Sequence, residues 1–219
     1  MKRFKGEIRL QLIKTLFFFV MLLSCEENND WFDYKEIDVV RTTRDSTYYI
    51  KGRLLNGLVK KFDKKGNHIL EFSVMNGILS GNYIEFYDNG NVKLKSNYKK
   101  GKLDGKFISY FLNNNINEET NYKEGLINGN RKTYWLNGSV KELSRLKLGA
   151  LKGECIFYFS NSKPRKKIFF VEYGNRDGVW LDYFQNGNIK TEIEYKSGVI
   201  ISPMRKYDVN GNLLNNFNK

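Results

Sequence analysis

Apolar and polar residues alternate in short runs that return every 24 residues along almost the whole chain. One run of each unit alternates cleanly, as in Val92, Leu94, Ser96, Tyr98 or Ile189, Thr191, Ile193, Tyr195, with charged residues between. Period two with one apolar side predicts a half-buried β-strand. The run before it is aromatic on both sides: Tyr83-Ile84-Glu85-Phe86-Tyr87, Phe107-Ile108-Ser109-Tyr110-Phe111, Arg131-Lys132-Thr133-Tyr134-Trp135, Cys155-Ile156-Phe157-Tyr158-Phe159 and Trp180-Leu181-Asp182-Tyr183-Phe184. Aromatic and β-branched enrichment bounded by Gly and Asn is a second strand signal. Between the runs stand Asn89-Gly90, Asn137-Gly138 and Asn186-Gly187, and Asn-Gly predicts a hairpin because both residues tolerate positive φ. The turn glycines Gly66, Gly90, Gly138, Gly187 and Gly211, with Asn114 and Ser162 in phase, keep steps of 24 residues with a single step of 25. A second ladder, Gly57, Gly81, Gly105, Gly129, Gly153 and Gly178, keeps the same interval. Each unit cannot bury its apolar face alone and must stack on its neighbours. The expected fold is all-β, an elongated array of antiparallel hairpins over residues 52–219, about six units with the last one partial.

Two stripes and one charged row follow from the alternation. Phe86, Tyr110, Tyr134, Tyr158 and Tyr183 share one face, and Tyr87, Phe111, Trp135, Phe159 and Phe184 lie on the opposite one. Equivalent residues recur about every 10 Å along such a sheet. One stripe builds the core, which leaves the other, taken as Tyr87, Phe111, Trp135, Phe159 and Phe184, as a candidate binding row unless both are structural stacking. The outer side of the second strands is lysine-rich but interrupted by Glu119, Glu192 and Glu194. A charge row of this kind is ordinarily a solvated face. Its functional alternative is contact with an anionic partner through Lys93, Lys95, Lys99, Lys141, Arg145 and Lys147.

Departures from the pattern mark particular places. Asn161-Ser162-Lys163-Pro164 replaces Asn-Gly in a unit that is one residue longer before Gly174, and Pro164 removes a ladder donor, so a bulge or wider turn is expected there. Tyr98-Lys99-Lys100-Gly101, Tyr122-Lys123-Glu124-Gly125 and Tyr195-Lys196-Ser197-Gly198 close their units and lead through a Gly-x-x-x-Gly link into the next. Residues 25–51 read as a tether followed by an N-terminal cap, and Met204 to Phe217 as a partial unit with Tyr207 in phase.

The front of the chain changes the picture of where such an array works. Basic residues from Lys2 to Lys14 precede an apolar run from Thr15 to Leu23, too short to span a bilayer as a mature helix, then Ser24-Cys25. That is the layout of a secretory signal over residues 1–24. Leu22-Leu23-Ser24-Cys25 resembles the lipobox of bacterial lipoproteins, which implies cleavage before Cys25, acylation of its thiol and an outer-membrane anchor on the periplasmic or the cell-surface side. Glu26-Glu27-Asn28-Asn29-Asp30 is too hydrophilic to pack and suits a tether. Removing the signal takes away five basic residues and Glu7, so 32 basic and 23 acidic residues remain and the net charge falls from +13 to +9. The basic excess favours anionic surfaces. Export makes nucleic acid an unexpected partner.

Candidate chemistry adds little. His68, the single histidine, stands where other units have Val92, Ile116, Val140 and Ile189 and reads as packing. Cys155 takes the place of Tyr83, Phe107 and Trp180 and reads as a small buried hydrophobe with no second histidine to activate it. No phosphate loop, paired-cysteine spacing or His-Glu-x-x-His is present. Neither enzyme activity, a cofactor nor a metal is expected.

Taken together, Gly178-Val179-Trp180-Leu181-Asp182-Tyr183-Phe184, Asn186-Gly187 and Tyr195-Lys196-Ser197-Gly198 resemble the MORN repeat in its bacterial variant. That resemblance implies rows of antiparallel hairpins in a curved single-layer sheet. Many bacterial members are classed as antitoxins of YwqK type, so it also implies a protein partner, with a toxin as one candidate, and an antitoxin-like or immunity-like role. An envelope structural or lipid- and glycan-binding repeat is the alternative.

Overall fold

The computed structural model describes residues 31–41 and 46–214. The signal, Cys25 and the acidic tether lie outside the described residues. The strands are β1 (Trp31–Asp33), β2 (Asp38–Arg41), β3 (Ser46–Ile50), β4 (Arg53–Leu54), β5 (Gly57–Phe62), β6 (His68–Met75), β7 (Ile78–Phe86), β8 (Val92–Lys99), β9 (Lys102–Leu103) and β10 (Gly105–Tyr110). They continue as β11 (Ile116–Lys123), β12 (Leu126–Tyr134), β13 (Val140–Lys147), β14 (Ala150–Leu151), β15 (Gly153–Tyr158), β16 (Pro164–Phe170), β17 (Arg176–Tyr183), β18 (Ile189–Lys196), β19 (Val199–Ile200) and β20 (Arg205–Lys206). From β5 onward the long strands pair antiparallel in chain order, β8, β13 and β18 each taking both a two-residue strand (β9, β14, β19) and the strand after it (β10, β15, β20) on one edge, and β1 adds in parallel to the other edge of β5. The array of hairpins expected from the 24-residue period is therefore a single antiparallel meander.

Its two rims use different turns, the reverse of what Asn-Gly and the Gly-x-x-x-Gly link imply in the sequence. At the Asn-Gly rim three residues form the loop: Tyr87 N–H donates to Asn91 O, Gly90 N–H donates to Tyr87 O, and of the loop residues Gly90 alone has positive φ, at 82°. This is a type I turn closed by one left-handed residue, a position that Asn114 (φ 67°) and Ser162 (φ 65°) also fill. The two-residue turn with both central residues at positive φ occurs at the opposite rim, as Lys100-Gly101 (50°, 79°) between the paired Lys99 and Lys102. Asn76-Gly77, Glu124-Gly125, Leu148-Gly149 and Ser197-Gly198 repeat it. The apparent link between units is itself a tight hairpin.

Pro164 causes no wider turn. Phe159 N–H still donates to Lys163 O, and Pro164 sits opposite Tyr158 as Val92 sits opposite Phe86. The missing donor falls on a position where every unit already breaks its ladder. The extra residue is absorbed later, in the 3-10 turn Glu172–Gly174, whose Tyr173 has φ 61°.

Two small cores sit on one face of the sheet. Near the N-terminal end, Val59, Phe72 and Val74 are covered by Ile37 and Leu55, and the rings of Tyr48 and Tyr34 lie 5.2 and 6.3 Å from that of Phe72. The 3-10 turn Tyr34–Glu36 and the sheet β2–β3–β4, with the flanking Ile37 and Leu55, supply this cover. Further along, Cys155, Ile168 and Phe170 are buried with Leu151, Phe157 and Trp180 around them.

Candidate interaction surfaces

One residue per hairpin decides which side chains share a face. Glu85 lies opposite Leu94, yet the next residue, Phe86, lies opposite Val92, so Lys93 is extra on its strand. Ile69, Asn117, Lys141, Arg165 and Lys190 are extra in the same way. A β-bulge of this kind inverts the alternation of its strand. Lys93 accordingly meets Glu85 at 3.1 Å, Asn117 meets Ser109 at 3.3 Å, and Lys141 stands 4.9 Å from the centre of the Trp135 ring. The lysine-rich face expected from strict alternation is thus divided. Lys93 and Lys141 project on the capped face, Lys95 and Arg145 on the open one (paired with Ile108 and Asn130), and Lys99 and Lys147 sit beside the two-residue turns.

The aromatic stripes do fall on opposite faces. Tyr87, Phe111, Trp135, Phe159 and Phe184 share the capped face, where they fasten one hairpin to the next. Tyr87 Oη donates to Tyr110 O at 2.7 Å, Trp135 Nε1 donates to Tyr158 O at 3.3 Å, and Lys190 caps the Phe184 ring. Asparagines of the adjoining turns do the same with their side chains: Asn113 and Asn115 both donate to Leu136 O, Asn137 to Ser160 O, and Asn186 and Asn188 to Val209 O. Sequence reasoning missed this ladder, although asparagine at 89, 113, 137, 161 and 186 is its signal. In the first and last units Asp63 and Asp208 replace the aromatic and accept from their own turns instead. Hydrogen bonds from the Asn67 and Asn212 side chains hold these carboxyls below the usual aspartate range.

The middle of the capped face is polar. Where other units place Phe107 or Cys155, Arg131 donates through Nε to Glu118 at 2.8 Å and through Nη1 to Glu142 at 3.2 Å, beside the buried hydroxyls of Thr120 and Ser144. Both carboxylates are satisfied there, Glu118 by Thr120 Oγ1 and Glu142 by Ser144 Oγ as well. Arg131 fills the column that an aromatic fills elsewhere and closes it by charge instead of stacking.

The open face carries a row of aromatic residues, one per hairpin. It starts with the rings of Trp31, Phe62, His68 and Phe86, whose successive centroids are 5.6, 5.2 and 4.6 Å apart. It continues through Tyr110, Tyr134, Tyr158 and Tyr183, each half-buried and paired across the bulge with Ile116, Val140, Pro164 or Ile189. His68 thus stacks in the band, with Nε2 3.1 Å from Leu70 O. Tyr134 Oη donates to Glu119 at 2.9 Å, and desolvation together with that bond pushes its phenol up to about 12. Among the described residues no element packs over this band.

Cys155 is fully buried, and desolvation raises its thiol. Among the described residues no three His, Cys, Asp or Glu side chains converge as a metal-binding set.

Three segments, residues 79–100, 103–124 and 176–197, match the family model described as MORN repeat variant. These matches agree in phase with the hairpins and support the repeat as the building unit. No curated protein matches the sequence. Among solved structures, a crystal structure of TarM overlaps 59% of this chain and 21% of its own, at 15% identity and a TM-score of 0.23. A crystal structure of an S. aureus TarM point mutant in complex with fondaparinux, alpha-GlcNAc-glycerol and UDP gives the same coverage at 12% identity and a TM-score of 0.21. This chain spans about a fifth of those proteins. Neither overlay is close enough to bear on its function.

Proposed function

We propose that this protein is a non-catalytic, lipid-anchored interaction module that binds a protein partner through the open face of its sheet. The supporting observation is the aromatic band from Phe62 to Tyr183, which no described element covers. Large contiguous apolar patches on soluble surfaces mark interaction sites, and tyrosines flanked by aliphatic residues make rigid anchors at little entropic cost. The row Tyr87, Phe111, Trp135, Phe159 and Phe184 is spent on the stack and is the weaker binding candidate. An antitoxin-like or immunity-like role is what the family resemblance suggests for such a partner. Anchoring rests on Cys25 as the acylated first residue of the mature chain.

Two substitutions test the two halves of this reading. Cys25→Ala should release the protein from the membrane fraction or leave it uncleaved, and unchanged processing would remove the anchor. Tyr158→Ser should leave the circular dichroism near wild type while weakening partner capture by about 2 kcal/mol or more. A folded variant that captures its partner unchanged would move binding off the open face.

A further inference from the structure

The second half of the open face has an order of its own, in three levels of side chains that cross β12, β13, β15, β16, β17 and β18. Nearest the Asn-Gly rim stand Tyr134, Val140, Tyr158, Pro164, Tyr183 and Ile189, all half-buried. The middle level reads Lys132, Leu143, Ile156, Lys167, Leu181 and Glu192. The level beyond it reads Asn130, Arg145, Glu154, Phe169, Val179 and Glu194. Phe169 and Val179 are 41% and 42% exposed there, where the first half of the face has Asn82, Asn97 and Asn121. Charge in this half is sorted by end, with Lys132 and Arg145 on β12 and β13 and with Glu192 and Glu194 on β18. Between the ends, Lys167 and Glu154 pair with each other at 3.7 Å. Among the described residues Lys132, Arg145 and Glu194 form no ion pair.

Read across the strands, this order is its own complement. Consider two open faces in contact, related by a two-fold axis that runs along the strands between β15 and β16. Such an axis sets β12 of one copy over β18 of the other and keeps each level over itself, an isologous contact. Lys132 then faces Glu192, Leu143 faces Leu181, Tyr134 faces Ile189, Val140 faces Tyr183 and Tyr158 faces Pro164. Glu194 lies over Asn130, between Lys132 and Arg145 of the second copy. An axis across the strands would instead bring Lys132 against Lys132 and Glu192 against Glu192, and like charges so placed are costly. Charge therefore selects one of the two ways of closing the same faces. Facing sheets pack about 10 Å apart with their strands nearly aligned. With strands about 4.8 Å apart and same-side residues about 7 Å apart, the six strands and three levels have a footprint of about 29 by 20 Å. The two copies together then cover about 1,200 Å², at the lower end of specific interfaces.

From this self-complementarity we infer that the partner of the open face is a second copy of this chain, packed face to face over β12 to β18 about that axis. The inference rests on the open-face reading and adds the identity of the partner. Its test expresses two differently tagged full-length chains in their own envelope, one with Leu143→Cys and the other with Leu181→Cys, and adds a short bismaleimide. Cys155 is buried, and tagged chains without the added cysteines measure any reaction at Cys25. A product carrying both tags should form from Leu143→Cys with Leu181→Cys. It should not form from Leu143→Cys in both chains, because the axis leaves those two positions about 14 Å apart across the strands. Arg145→Glu in both chains should lower the yield by about tenfold or more, and adding Glu194→Arg should restore it, with circular dichroism near wild type throughout. No product with both tags, an equal product from Leu143→Cys in both chains, or no recovery with Glu194→Arg would each overturn the inference. A photo-crosslinker at Tyr158 separates the two readings. If it captures a different protein while the two-tag product is absent, the second copy falls and the open face stands as the binding surface. If neither product forms, both readings fall.

Discussion

Truncating Phe72 should cost far more than truncating any ring of the open band. Phe72 is 2% exposed and is packed on by the rings of Tyr34, Tyr48 and Tyr83. A buried aromatic of this size removes about 150 to 250 Å² from water, which at about 25 cal/mol per Å² amounts to about 4 to 6 kcal/mol as an upper bound. Measured Phe→Ala changes in cores run about 3 to 5 kcal/mol. Tyr134 lies mid-array, but its ring is half-buried on an uncovered face, so Tyr134→Ala should cost about 2 to 3 kcal/mol on the same area scale, half the figure for Phe72. For a folded region of this size about 4 kcal/mol lowers the melting temperature by about 8 to 16 °C and about 2 kcal/mol by about 4 to 8 °C. Thermal melts followed by far-ultraviolet circular dichroism compare the two variants directly. The Phe72 variant should also show an early transition as the sheet β2–β3–β4 loosens from the stack. Equal losses at the two sites would refute the assignment of the core to the capped face near its N-terminal end.

Three further outcomes follow from the same geometry. Tyr134 has a folded-state pKa raised above the ordinary phenol value of 10.0 to about 12, so its contribution is fully present below pH about 10 and is lost as pH rises towards 12; phenolate absorbance should lag in the wild type, and Tyr134→Phe should flatten the alkaline fall in stability. The Cys155 thiol, buried and raised, should react with a disulfide reagent only as fast as the sheet opens, so denaturant should speed the reaction by orders of magnitude, whereas fast native labelling would contradict its burial. Asn137→Ala removes the bond to Ser160 O and the two that Ser139 donates to the Asn137 carboxamide, and it should lower stability by about 1 kcal/mol, while Asn210→Ala in the last unit should cost much less.

The hairpins are legible in the sequence because period and turn residues state the same thing twice. Gly90, Asn114 and Ser162 hold the left-handed position in phase, and Tyr83, Phe107 and Trp180 recur in phase within their strands. Face assignment is not legible beyond the bulge. An extra residue at Lys93 or Lys141 leaves the apolar and polar pattern looking strictly alternating, while the pairing of Phe86 with Val92 shows the inversion. Turn type fails for a related reason: Asn-Gly satisfies both a two-residue turn and a longer one ending at glycine, and only the pairing of flanking residues separates them. Lys100-Gly101 carries no such signal, since lysine is an uncommon occupant of positive φ.

The central claim is that the open face is where a partner binds. The most direct measurement places a photo-crosslinking residue at Tyr158 on the open face or at Thr133 on the capped face, in the full chain expressed in its own envelope. Crosslinked products are then separated by mass. The account predicts a discrete protein adduct from Tyr158 and none of that mass from Thr133, with the Tyr158 adduct reduced when Tyr134→Ser is added. Equal adducts from both positions, or a discrete adduct from Thr133 alone, would contradict it.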